Sequence, residues 1–149
     1  MLCPVMPPML ESGVLPVGEH PATWSEVVAA FGQGGHRAAL IAGLRLACLA
    51  LAAAGCRRLW LDGSFVSDKV LPSDYDACWD PDGIDPSRLD PLLLDWSPAG
   101  RLTMKAKYLG DLFLAGVEAT SGLPFVSFFQ TDRDGAPKGI VVLQPQEVS

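Results

Sequence analysis

Histidine is nearly absent from this chain: His20 and His36 are the only two, and they are far apart. The four cysteines, Cys3, Cys48, Cys56 and Cys78, include no CxxC pair and no histidine at ligand spacing. That argues against the common zinc frameworks and against a disulfide lattice, and makes a reducing, cytoplasmic setting the expectation. Positive charge is also short, with 11 Lys and Arg against 17 Asp and Glu and a net charge of −6. Such a balance argues against holding nucleic acid through a broad basic surface. It does not exclude a nucleotide, because bound cations supply positive charge locally. The opening MLCPVMPPML lacks the basic stretch and unbroken apolar run of a signal peptide. The longest apolar run, 38–54, is interrupted by Arg45 and sits at the lower limit for a membrane span. A buried amphipathic helix, with no membrane partner, is the expectation there.

What is present suffices for one folded unit. The chain has 149 residues, 49% of them hydrophobic and 19% charged, enough to bury a core. Residues 1–22 contain Pro4, Pro7, Pro8, Pro16 and Pro21 and are predicted to run extended across the surface, ahead of a single domain over 23–149. Thr23-x-x-Glu26 is a capping box that starts a helix, closed by Gly32, Gly34 and Gly35. A longer helix is predicted over 36–54, with Leu40, Leu44, Cys48 and Leu51 on its buried face. Leu59-Trp60-Leu61 reads as an interior strand, and a second strand follows through Asp74 and Asp76. The acids from Asp80 to Asp95 read as a solvated loop, with a short helix from Pro86 capped by Asp85. Residues 102–115 read as a strand bent at Gly110, and PFVSFFQ with GIVVL as a closing β-hairpin. Helices early and strands late predict α+β, with a mixed sheet and helices packed mainly on one face.

The chemistry concentrates in LWLDGSFVSDKVLPSDYDACWD, residues 59–80. Asp74 and Asp76 have one residue between them, so on a strand their carboxylates share a face, roughly 6–7 Å apart along the backbone. Two such charges repel unless a cation lies between them or one stays protonated. The Gly63-Ser64 turn nearby offers backbone N–H groups to an anion. Carboxylates for a metal beside amides for a phosphate point to a nucleotide site. Two other readings fail: Asp80-Pro81-Asp82-Gly83 puts Cys78 and Leu89 at EF-hand ligand positions, and the glycines at 32, 34 and 35 follow no strand.

Gly63-Ser64, nine intervening residues and Asp74-Tyr75-Asp76 together resemble the signature of the polymerase β-type nucleotidyltransferase superfamily. LPVGEHPATWSEVVAAF, LWLDGSFVSDKVLPSDYD and FFQTDRDGAPKGIVVL extend a closer likeness, over nearly the whole chain, to small bacterial and phage-associated nucleotidyltransferase-like proteins. The resemblance implies that 23–149 is a minimal nucleotidyltransferase-like domain. It implies that Asp74 and Asp76 hold Mg²⁺ or Mn²⁺ on an NTP, with Gly63 and Ser64 receiving phosphate oxygens. A third carboxylate would come from a neighbouring strand, where Asp111 matches and Glu118 is the reserve. Lys69 and Lys138 are the leading phosphate cations, with Arg133, Lys105 and Lys107 as others.

The expected activity is metal-dependent transfer of an NMP from an NTP to an unidentified acceptor, protein, RNA or small molecule, with release of pyrophosphate. By analogy the setting would be toxin–antitoxin or phage defence, and a partner protein or homodimer would help bind the acceptor. The alternative is a catalytically silent nucleotidyltransferase-like module that binds a nucleotide or a protein.

Overall fold

The computed structural model describes residues 6–116, 122–131 and 134–149. Its fold is α+β, a five-stranded mixed sheet with four helices. The chain forms β1 (Glu19–Pro21), α1 (Trp24–Phe31), α2 (Gly35–Ala53), β2 (Leu59–Asp62), β3 (Tyr75–Trp79), α3 (Pro98–Tyr108), β4 (Gly110–Leu114), α4 (Phe125–Phe128) and β5 (Ile140–Leu143). The sheet order is β1-β5-β2-β3-β4. β1 runs parallel to β5 and β3 parallel to β4, while β2 is antiparallel to both its neighbours.

Side-chain alternation along the strands divides the apolar residues into two layers. Leu59, Leu61, Tyr75, Ala77, Trp79, Leu112, Val141 and Leu143 point into the main core. Val27 and Phe31 of α1, Leu40, Leu44, Cys48 and Leu51 of α2, and Met104 and Tyr108 of α3 fill it from the other side. The intervening Trp60, Cys78, Phe113, Ile140 and Val142 face a smaller aromatic cluster with Phe125 and Phe129. By length and composition α2 could cross a membrane, yet the face bearing Leu40, Leu44 and Leu51 is packed in this core.

The first two helices lie where the sequence puts them, and the Thr23 capping box is complete, with Thr23 Oγ1 accepting from Glu26 N at 3.1 Å. The proline-rich start does more than cross the surface: Leu15 is buried, and β1 pairs in register with β5.

Three expectations are corrected. Residues 98–108 are helical, not strand, because Ser97 caps the helix and Pro98 opens it. The apparent alternation there hid a four-residue spacing of buried positions, Gly100, Met104 and Tyr108. The helix ends on Leu109 at φ 62°, a left-handed position that glycine usually fills. Gly110 is no bulge: it begins β4 opposite Tyr75, where any Cβ would land about 2.6 Å from the Tyr75 ring.

Among the described residues the expected closing hairpin is reduced to one isolated antiparallel bridge, Thr131 to Pro137. Phe125 and Phe128 lie in the short helix α4, with Phe129 as its C-cap, while β5 pairs with β1 and β2 instead. The acidic segment after β3 is not merely solvated. Its single expected helix is two short 3₁₀ turns, Pro86–Arg88 and Pro91–Leu94, whose first backbone N–H groups are capped by Asp85 and Asp90.

Candidate functional site

The Gly63–Ser64 turn is built by backbone geometry and one buried arginine. Gly63 has φ +90°, and a side chain there would meet the Asp76 amide nitrogen and carboxylate at 3.1 Å. Val66 N donates back to Gly63 O at 3.0 Å and closes the turn. Arg37 on α2 reaches over the connector: Nη1 donates to Phe31 O and Phe65 O at 3.0 and 2.7 Å, and Nη2 to Ser67 O and Lys69 O at 2.9 and 2.5 Å. Its guanidinium also lies over the Phe65 ring at 5.3 Å. One planar cation thus fixes the backbone from Phe65 to Lys69. Arg37 was missed in the sequence, where it is one polar residue near the start of an apolar helix.

The strands next to this turn carry acids in register. Asp62 on β2 lies opposite Asp76 on β3, and Asp76 lies opposite Asp111 on β4. Directly opposed side chains share a face, away from α1–α3, with Cβ atoms about 5 Å apart. Two ionised carboxylates at about that separation repel by roughly 3 kcal/mol at an effective dielectric of about 20. Asp74, one residue before β3, adds a fourth charge. Asp62 was also missed: it ends an apolar strand and reads as the start of the Gly-Ser turn, and only pairing reveals its alignment with Asp76.

Nearby cations offset this repulsion. Lys105 Nζ sits 2.9 Å from Asp74 Oδ2 and 3.4 Å from Asp111 Oδ2, and Arg101 Nη2 lies 3.7 Å from Asp111 Oδ1. Lys138 Nζ lies 2.9 Å from Asp62 Oδ1. Hydrogen bonding to Asp74 holds the Lys105 ammonium above its usual pKa. Asp76 makes no ion pair among the described residues, and burial, reinforced by Asp74, Asp62 and Asp111, pushes its carboxyl up to about 6. Burial likewise raises Asp62, with Lys138 working against it.

Above the row opens a cleft of about 950 Å³. Gly63, Ser64, Lys69, Asp74, Asp76 and Lys138 line it together with Asp62. Part of its wall is aromatic, formed by Phe113, Phe125, Phe128 and Phe129. Phe113 stacks between Trp96 and Phe125, with ring centroids 4.7 and 4.8 Å away. Asp111 does not line the cleft. It is buried beside it, its carboxylate held by Lys105 and Arg101. Lys107, two residues along α3, turns to Asp90 instead, at 2.7 Å. Glu118 and Arg133 lie outside the described residues.

The donor set does not fit a divalent ion as it stands. The Lys105 ammonium bridges two of the three expected ligands, Asp74 and Asp111. Among the described residues, no group of three or more His, Cys, Asp or Glu side chains is arranged to hold a metal. What the arrangement offers is a polar floor with a glycine turn and two lysines, and a wall made partly of flat rings.

Residues 7–144 match a family model described as a family of unknown function (DUF6932), and the chain belongs to that family. No curated protein and no solved structure matches it.

Proposed function

We propose that this member of the family is a nucleotidyltransferase-like module, its helices mainly on one sheet face, that binds a nucleoside triphosphate and is catalytically silent. The observation that carries the reading is the cleft over the Gly63–Ser64 turn, polar on its floor and aromatic on part of its wall. Gly63 and Ser64 receive phosphate oxygens on backbone N–H groups, and Lys69 and Lys138 supply charge. The base packs against Phe125 and Phe128, since any base presents a flat π-face to an aromatic ring. Silence follows from the ion pairing: Asp74 and Asp111 already share Lys105, the position from which a metal would draw two ligands.

The test is thermal stabilisation by each NTP, with Mg²⁺ and with a chelator. A ligand at about 100 times its Kd stabilises the folded state by roughly 2.7 kcal/mol. A clear rise in Tm that survives chelation supports the reading. No rise with any NTP sinks it and leaves a protein-binding module.

One observation favours a second reading, metal-dependent NMP transfer. Asp76 is a largely buried carboxylate between two others, with no ion pair among the described residues. In that reading Asp74, Asp76 and Asp111 hold Mg²⁺ or Mn²⁺, which would supply Lewis-acid stabilisation of the phosphates. Transfer of label from an α-labelled NTP to the chain, cell protein or RNA, abolished in Asp74→Asn/Asp76→Asn, would establish it. Equal labelling by the two chains would rule this reading out.

A further inference from the structure

The acid row carries its own positive charge, delivered by α3. Lys105 stands in the last turn of that helix, directly after the buried Met104 that anchors the helix in the core and five residues before Gly110 opens β4. It is therefore fixed at its base while its ammonium reaches Asp74 and Asp111 together. Arg101, one turn earlier on the same face, approaches Asp111 and lies over the Trp96 ring at 5.5 Å. Lys138 neutralises Asp62 at the other end of the row. Four carboxylates, Asp62, Asp74, Asp76 and Asp111, thus face three cations, Arg101, Lys105 and Lys138.

We infer that Lys105 is a resident counter-cation that closes the carboxylate row to free divalent metal. An ammonium and a divalent ion compete for the same oxygens of Asp74 and Asp111, and both cannot be accommodated at contact distance without like-charge repulsion. The tethered ammonium needs no association from solution, so at modest metal concentration it wins. Removing it exposes carboxylates whose mutual repulsion is relieved only by a new cation or by protonation. The inference deepens the nucleotide-cleft reading by naming what takes the metal's place, but its test contains no nucleotide, so either can fail without the other.

The experiment titrates Mn²⁺ alone into the full chain and follows loss of the free-ion spectroscopic signal. The wild-type chain binds weakly. Lys105→Ala binds at least tenfold more tightly, Lys105→Arg stays at the wild-type level because it keeps a cation, and Lys107→Ala does not change. A Lys105→Ala chain that folds only when Mn²⁺ is added supports the inference equally. Wild-type binding as tight as that of Lys105→Ala overturns it, as does equal tightening in Lys105→Arg.

Discussion

Leu61 and Asp62 are neighbours in β2, yet one is sealed against α1–α3 and the other faces a row of like charges. The same contrast repeats at Ala77 and Asp76 in β3, and at Leu112 and Asp111 in β4. One sheet therefore carries two kinds of surface, separated only by the pleat. The helix-facing side gains stability from apolar burial, which does not titrate with pH. The cleft-facing side works against folding through repulsion and desolvation, offset in part by Lys105, Lys138 and Arg101. A charged cleft persists because the other side of the same strands holds them in place.

The largest test of that division is Leu61→Ala. Leu61 is fully buried in the main core, so the loss should be about 2–5 kcal/mol, read by urea unfolding. A loss below about 1 kcal/mol would mean that the helix-facing layer is not what stabilises the sheet.

Arg37 joins the two sides, since it leaves a core helix to hold the turn that floors the cleft. Arg37→Ala strands four carbonyls in or near the core. Hydrogen bonds to a charged group contribute about 1.5–3 kcal/mol each and do not simply add, so roughly 3 kcal/mol of destabilisation is expected. Arg37→Lys should recover little, because an ammonium cannot reproduce the planar fork. Both variants should also lose the NTP-induced rise in Tm. Retention of that rise in a folded Arg37→Ala chain would separate the turn from ligand binding.

The two sides also differ in how far the sequence reveals them. Capping at Thr23 and the period of α2 are local, so the first helices are readable residue by residue. Gly63-Ser64, Asp74 and Asp76 are close enough in sequence to be read together and all line the cleft, although Asp74 stands one residue before β3 rather than on it. The row itself is not readable in this way. Asp62 and Asp111 join Asp76 only through strand pairing, and Lys105 joins them only because 98–108 is a helix rather than a strand. Alternating Leu102, Met104, Ala106 and Tyr108 favour the wrong period, and the Ser97-Pro98 start is what corrects it. Phe125–Phe129 misleads in the same way, because aromatic strand propensity masks helical spacing.

A third test opposes the first in sign. The Asp76 carboxyl, raised to about 6 by burial and by Asp74, Asp62 and Asp111, keeps its proton in the folded chain where the unfolded chain has lost it. The stability it contributes is complete below the unfolded value of about 4 and is lost as pH rises through about 6. Its ionisation then costs roughly 2–3 kcal/mol at neutral pH. Asp76→Asn should therefore stabilise the chain at pH 7, change little at pH 4, and flatten the stability curve between them. Destabilisation at pH 7 would show that a cation or donor engages Asp76 after all.

The smallest effect belongs to an acid on the helix-facing side, where partners reverse the sign. Burial works against ionisation of Asp90, but bonds from Lys107, from the Tyr108 hydroxyl at 2.5 Å and from Leu92 N outweigh it and hold the carboxyl below its usual range. Its contribution is present above about pH 4, the unfolded value, and is lost as pH falls through the lower folded one. Lys107 is half exposed, so solvent screening keeps the effect small. Asp90→Asn should cost about 1 kcal/mol at pH 7 and progressively less toward pH 2. A cost that stays constant down to pH 2 would assign it to packing around Tyr108 rather than to charge. Asp76 and Asp90 would then no longer be opposite cases of one electrostatic rule.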